Sequence, residues 1–505
     1  MELLIMPGRV SIKPLLLGSA LGCMAMATPA HADTLREALA QAYETNPVLQ
    51  AARAQQRATD ETIAVEKAAG RPNASVAGTY IEFLKTSGNS FTAPDRTLQV
   101  GPDLSVPVYQ GGAVKNAIRA ADERIEAGRA DLRGTESAIF SQVVAAYMDV
   151  LQAEALVGLN VNQVQVLSTN VEATGDRFEI GDLTRTDVAQ SQSRLALAEG
   201  DLQSARSNLI GARETYIRLV GEYPTNLEPP PPLPNLPDSP NTAVDVALER
   251  NPDLIAARER ADAAGYDVRV AGSNRLPRVN VFTGADYSNF FGSLGGPTSA
   301  QFAQSELTAN AGVQFTIPIY QGGRPAALRR QAQAREGAAL EQVIAAERDV
   351  IAQVRASFAS YRAALSIIDS SRTAVSAAEL SLEGVRAENS IGNRTVLDVL
   401  NAEQELLVAR VQLVTARRNA YVAGFSLLAA MGLAEARDLG LDGGTLYDPL
   451  VNYDRVSGQW WDWQRDPDPV PVSTRTVDIP AANATLPADT QPDDPAEITS
   501  DVLGE

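Results

Sequence analysis

Two hydrophobic periods alternate along the chain. Leu307, Ala309, Ala311, Val313, Phe315, Ile317 and Ile319 are apolar, and the residues between them up to Thr316 are polar or small. Period two is that of a strand with one apolar face. Leu98 to Val108 repeats it, with Leu104, Val106 and Val108 on one face and Gln99, Asp103 and Ser105 on the other. Ala74 to Leu84, and the run Val279, Val281, Thr283 after Pro277, predict two further strands. Turn-forming stretches, Ser87-Gly88-Asn89-Ser90 and Gly292 to Pro297, divide each pair. Residues 72–110 and 277–321 thus read as two hairpins with strands about ten residues long.

The rest of the pattern is helical. Residues 113–173 lack proline, and Ile118, Ile125, Leu132 and Ile139 recur every seventh position. Val143, Val150, Val157, Val164 and Val171 continue the heptad in a register shifted by four, a stutter that straightens a coiled coil. A helix of this length spans roughly 90 Å. Val188, Leu195, Leu202, Leu209 and Tyr216 mark a second heptad helix, and Val399, Leu406, Leu413, Ala420 and Leu427 another. Such stripes predict coiled-coil packing.

The elements occur twice. Val106-Pro107-Val108-Tyr109-Gln110-Gly111-Gly112 matches Ile317-Pro318-Ile319-Tyr320-Gln321-Gly322-Gly323. The same spacing aligns Ile180-Gly181 with Ile391-Gly392, Asp187-Val188 with Asp398-Val399, and Gly221 with Gly432. Asn46-Pro47 matches Asn251-Pro252 at a slightly shorter spacing, so the second copy carries extra residues between Pro277 and Ile317. Two structural repeats follow, 33–221 and 241–432, joined by a Pro-rich linker at 222–240 that reads as a stiff spacer. Residues 433–465 have no counterpart in the first copy and hold the aromatic run Tyr447 to Trp463, expected to pack round the helical waist. Residues 466–505 are rich in Pro, Asp, Thr and Ala, a composition that predicts a disordered tail.

Composition narrows the function. Arg9 and Lys13, an apolar run from Leu15 to Met26, and Ala30-His31-Ala32 read as a signal peptide at 1–32. Ala20-Leu21-Gly22-Cys23 resembles a lipidation box, but Ala20 stands where Leu is preferred and the apolar run passes the cysteine, which argues against lipidation. The single Cys and single His of the chain, Cys23 and His31, leave with the signal. Thiol and His-based nucleophilic catalysis and His/Cys metal sites are thereby excluded. No catalytic, cofactor-binding or metal-binding residues are expected, and no enzyme. A net charge of -19 argues against nucleic acid.

Ten-residue one-sided strands match the height of an outer-membrane barrel strand. The two hairpins are also rich in aromatics, among them Tyr80, Phe83, Tyr109, Phe282, Tyr287, Phe290, Phe291 and Tyr320. Bilayer-interface girdles explain this, as would an ordinary sandwich core. Four strands cannot close a barrel, and lipid tolerates no open edge. A homotrimer would supply twelve strands and near-sixfold symmetry.

The two Pro-[Val/Ile]-Tyr-Gln-Gly-Gly junctions, the tips Arg177-Phe178-Glu179-Ile180-Gly181 and Ile391-Gly392-Asn393-Arg394-Thr395, and the duplication resemble the TolC family of outer-membrane efflux channels over nearly all of 33–460. The resemblance implies a mainly α fold with a small β part. A long α-helical barrel would project into the periplasm from a 12-stranded transmembrane β-barrel formed by a trimer. It implies the exit duct of a tripartite efflux pump or type I secretion system, working with a periplasmic adaptor and an inner-membrane pump of RND or ABC type. Such a channel needs no cofactor. The alternative is a periplasmic coiled-coil structural or adaptor protein.

The tips carry the candidate site. Thr184 with Asp187, and Thr395 with Asp398, have the spacing of helix-capping boxes. The resemblance adds a gate. Asp398 would form a ring of carboxylates about the pore axis, and Arg394 stands at a family position that pairs with the equivalents of Thr186 and Asp187. Asn401 stands where the best-known member has a second ring aspartate, and Asn389 where it has a gate tyrosine, which implies a less acidic constriction and a weaker lock. Arg177, Phe178, Ile180, Gly181, Ile391 and Gly392 are the expected adaptor contacts. Gly111, Gly112, Gly322 and Gly323 are the expected strand-to-helix junctions.

Overall fold

The computed structural model describes residues 34–85, 93–441 and 446–486; the expected signal peptide and the Ser87–Ser90 turn lie outside the described residues. The first copy comprises α1 (Leu35–Thr45), α2 (Pro47–Ala68), β1 (Asn73–Glu82), β2 (Arg96–Gln110), α3 (Ala113–Glu179) and α4 (Arg185–Val220). The second comprises α5 (Pro240–Arg250), α6 (Pro252–Ser273), β3 (Arg278–Asn289), β4 (Ser305–Thr316), α7 (Arg324–Ser390) and α8 (Val396–Met431), and α9 (Pro449–Ser457) follows. Matched helices are equal in length: 11 residues for α1 and α5, 22 for α2 and α6, 67 for α3 and α7, and 36 for α4 and α8. The sequence repeat is therefore a repeat of the fold. At 1.5 Å per residue each long helix runs about 100 Å.

The repeated Asn-Pro pairs do the same work twice. Asn46 caps α2 by accepting from Val48 and Leu49 N–H, and its amide donates to the Leu219 carbonyl at 2.9 Å. Asn251 caps α6 and donates to Ala430, also at 2.9 Å. Proline at the first helical position has no N–H to leave unpaired. Each Asn-Pro thus starts one helix and pins it to the end of another.

The strands form one antiparallel sheet in the order β1-β2-β3-β4. Each hairpin pairs within itself, and the β2–β3 ladder, from Leu98 opposite Asn289 to Gln110 opposite Arg278, joins the two copies. That ladder carries a bulge between Pro107 and Tyr109, where proline cannot donate. β4 stops at Thr316, short of its counterpart β2. The segment Ile317–Tyr320 leaves the ladder, and Ile319 is 95% and Tyr320 87% exposed.

The main core lies round the middle of the long helices. Tyr147, Phe140, Leu209 and Phe425 are fully buried there, with α1 packed against them. The Pro-rich linker belongs to this waist. Its Glu228 and Pro231 carbonyls accept from the hydroxyls of Tyr147 at 2.5 Å and Tyr421 at 3.1 Å, and Leu227 is buried. Part of the tail docks here too, where composition predicts disorder. Arg213 donates to the Asn483 carbonyl at 2.7 Å, Glu214 accepts from Ala482 N–H at 2.8 Å, and Ala484 and Leu486 pack on the core. This docking uses backbone groups and small side chains, which composition does not register. An 18-residue stretch of α3 is apolar enough to cross a membrane, but 67% of it is buried among the other helices.

Candidate functional site: the helical tips

The far ends of the two helical hairpins are built alike. α3 is capped at Ile180, and Gly181 turns the chain with φ +84°; α7 is capped at Ile391, and Gly392 turns it with φ +81°. At both positions a side chain would strain the backbone. Asp182 N–H donates to the Arg177 carbonyl at 2.8 Å, and Asn393 N–H to the Glu388 carbonyl at 2.9 Å, which satisfies one carbonyl in the last turn of each helix. Ile180 is 81% and Ile391 72% exposed, and Phe178 is also exposed. Each tip therefore presents an apolar knob to solvent.

The returning helices start on full capping boxes. Asp187 Oδ2 accepts from Thr184 N–H at 2.9 Å and from its hydroxyl at 2.7 Å; Asp398 makes the same bonds to Thr395. The threonine hydroxyl and N–H hold both carboxyls below the usual carboxylate range. Within this chain Arg394 pairs with Glu388 of its own turn at 2.7 Å, not with Thr186 or Asp187. Asn389 donates to the Arg394 carbonyl at 2.8 Å and so clamps the same turn. At the first tip Arg177 pairs with Asp182 at 2.7 Å.

Behind the tips, polar side chains tie the two hairpins together. Asn401 of α8 accepts from Arg194 of α4 at 2.9 Å. Nearby, Glu403 of α8 is buried, with 2% of its side chain exposed. It accepts from the Asn170 amide of α3 at 2.9 and 3.0 Å and from Arg386 of α7 at 3.1 Å. Asn170, Arg194, Arg386 and Glu403 are not among the sequence-predicted residues. The available signal was Glu403 itself, which stands between Leu400 and Leu407 at core spacing on α8. A carboxylate there must find donors on the facing helices.

At the opposite end, Gly111 and Gly112, and Gly322 and Gly323, make the strand-to-helix turns, all with positive φ. Gly111 is walled in: an added Cβ would come within 2.8 Å of Leu276 and 2.9 Å of the Ser273 carbonyl. Among the described residues, a Cβ added at its counterpart Gly322 would meet nothing within 4 Å beyond its chain neighbours.

The family described as outer membrane efflux protein matches residues 38–222 and 243–433, one match for each copy. The chain belongs to this family. It is 33% identical to the outer membrane efflux protein BepC of Brucella suis over 430 residues, covering 85% of this chain and 91% of that protein. It is 27% identical to the outer membrane protein TolC of Escherichia coli over 443 residues, covering 84% and 87%. The crystal structure of the outer membrane protein VceC from Vibrio cholerae superposes with a TM-score of 0.67 at 23% identity, covering 79% of this chain and 96% of that one. The efflux-family chain is thus an outer-membrane efflux or secretion channel with its helical part in the periplasm. Family members are channels and not enzymes.

Proposed function

We propose that three copies of this chain close into one passive duct, gated at the helical tips and docked there on a periplasmic adaptor and an inner-membrane pump. One observation carries the closure: the molecule ends in unmatched halves of its own repeated contacts. β1 and β4 each keep an open edge, which lipid does not tolerate. In the upper helices α3 lies between α2 and α6, whereas α7 has α6 on one side and, among the described residues, is largely exposed on the other. The missing neighbours of β4 and α7 are a β1 and an α2, supplied by a second copy in the arrangement that the first copy already has to the second. Three such steps give twelve strands.

The tip chemistry suits a gate. Asp398, held ionised by its cap, would repeat three times round the axis as a ring that favours cations. Asn401 lowers the charge of that constriction. In the assembly Arg394 could exchange Glu388 for Thr186 or Asp187 of a neighbouring copy, and an adaptor on the exposed Ile180 and Ile391 knobs would bias that exchange. Light scattering of the detergent-solubilised channel should give the mass of three chains; a monomer would overturn the closure. For the gate, Arg394→Ala or Asp187→Ala should raise conductance in planar bilayers, and unchanged conductance in both would remove these residues from it.

A further inference from the structure

We infer that the loop after α9 is a membrane-surface anchor that sets Trp460, Trp461 and Trp463 into the periplasmic phospholipid leaflet of the outer membrane, beside the foot of the β-barrel. The inference rests on the reading of the sheet as membrane-spanning.

The loop is held at the level where helices become strands. α9 climbs along α2: Val456 is buried against Ile63, Ala121 and Ile125, and Asn452 donates to Asp60 at 2.8 Å. At its upper end, Lys67 in the last turn of α2 donates to the Ser457 carbonyl at 3.0 Å. Arg71, two residues before β1 begins at Asn73, donates to the Gln459 carbonyl at 2.5 Å. The tryptophans start at the next residue. Arg455 then grips Asp466 through two bonds of 2.9 and 3.0 Å, which closes the excursion and sends the chain back. The loop is therefore braced at both of its ends and cannot withdraw from this level without breaking charged hydrogen bonds.

What it presents is apolar and uncovered. Trp460 is 74%, Trp461 70% and Trp463 79% exposed. Three exposed indoles within four residues have no use in water, and a core residue would not be left so bare. Indole has an apolar body and one N–H donor, and it collects at the headgroup level of bilayers. Here the surface is continuous with the foot of the membrane sheet; Lys67, Arg71 and Arg465 lie beside it with Asp462 between the tryptophans, so the indoles rather than net charge make the membrane contact. The partner is phospholipid; packing against a second copy of the chain is the alternative that the experiment separates from it.

The chain contains three tryptophans in all, and they are these three. Intrinsic tryptophan fluorescence therefore reports on this loop alone. The full-length channel would be reconstituted into phosphatidylethanolamine–phosphatidylglycerol vesicles, with and without phospholipid brominated near the headgroup end of its chains. Floating the vesicles on a density gradient comes first: a channel that does not float with them fails the membrane reading itself. In floating vesicles, brominated lipid should quench most of the emission, and aqueous iodide little of it. Emission that iodide quenches and brominated lipid does not would place the indoles in water and overturn the anchor. Protection from both quenchers would bury them between copies and overturn it equally. Replacing all three by Ala touches no strand or long helix, so the variant should still float while losing the signal.

Discussion

Asn170→Ala tests whether the buried node behind the tips holds the channel shut. Glu403 is 2% exposed and depends on two donors. Asn170 donates to both carboxylate oxygens from α3, whereas the Arg386 side chain is 51% exposed. A hydrogen bond to a buried charge contributes about 1.5–3 kcal/mol, and leaving that charge short of donors costs a similar amount. An ion pair open to solvent contributes about 0–1 kcal/mol. If the tips open by moving α8 away from α3, Asn170→Ala should weaken the closed state by about 2 kcal/mol per chain, roughly a 30-fold change in the closed-to-open ratio for each chain that moves. Arg386→Ala should change it by about fivefold or less. Glu403→Gln keeps an acceptor for the Asn170 amide and should fall between them. Open probability in planar bilayers reads the ratio directly. Asn170→Ala conducting like the parent protein, or Arg386→Ala exceeding it, would refute the reasoning.

Two further expectations concern the waist. Glu136, which accepts from Ala436 N–H, is pushed up to about 7 by burial; Glu435 and Asp438 push the same way, while Ala436 N–H and Arg53 oppose it. The folded chain then holds a proton that the unfolded chain loses nearer the usual 4.5, so stability should fall as pH rises from about 4.5 to about 7 and level off above that. Glu136→Gln should flatten that fall and raise the melting temperature on the alkaline side, and a parallel profile would refute the assignment. Arg213→Met strands Glu154, its partner at 2.6 Å, and releases the Asn483 tether. It should cost about 3–5 kcal/mol in thermal or denaturant unfolding, much of which Arg213→Met with Glu154→Leu should recover. A single variant as stable as the parent would refute the pair's role.

Which parts of the molecule could be read in its sequence follows from the range of the forces involved. Strand and helix periods and the Asn-Pro and Thr-x-x-Asp caps act over a few residues, and they reappear as β1 to β4 and as paired caps with the same partners in each copy. The β2–β3 ladder joins residues far apart in the chain, so the pattern of either strand is silent about it. The spacing of Glu403 between Leu400 and Leu407 marks it for burial, but its donors Asn170 and Arg386 come from α3 and α7, and only the packing of those helices names them. Arg394 shows the opposite case. The family resemblance implies a pairing with Thr186 and Asp187, but within this chain Glu388 of its own turn holds it. The same logic explains the half-finished contacts at Gly322 and along α7. A duplicated unit specifies each interface twice, and within one chain one of each pair stays unmatched, as the proposed assembly of three copies would require. The exposed face of α7 and the open edge of β4 are thus the second printing of surfaces that α3 and β2 already bury inside the chain.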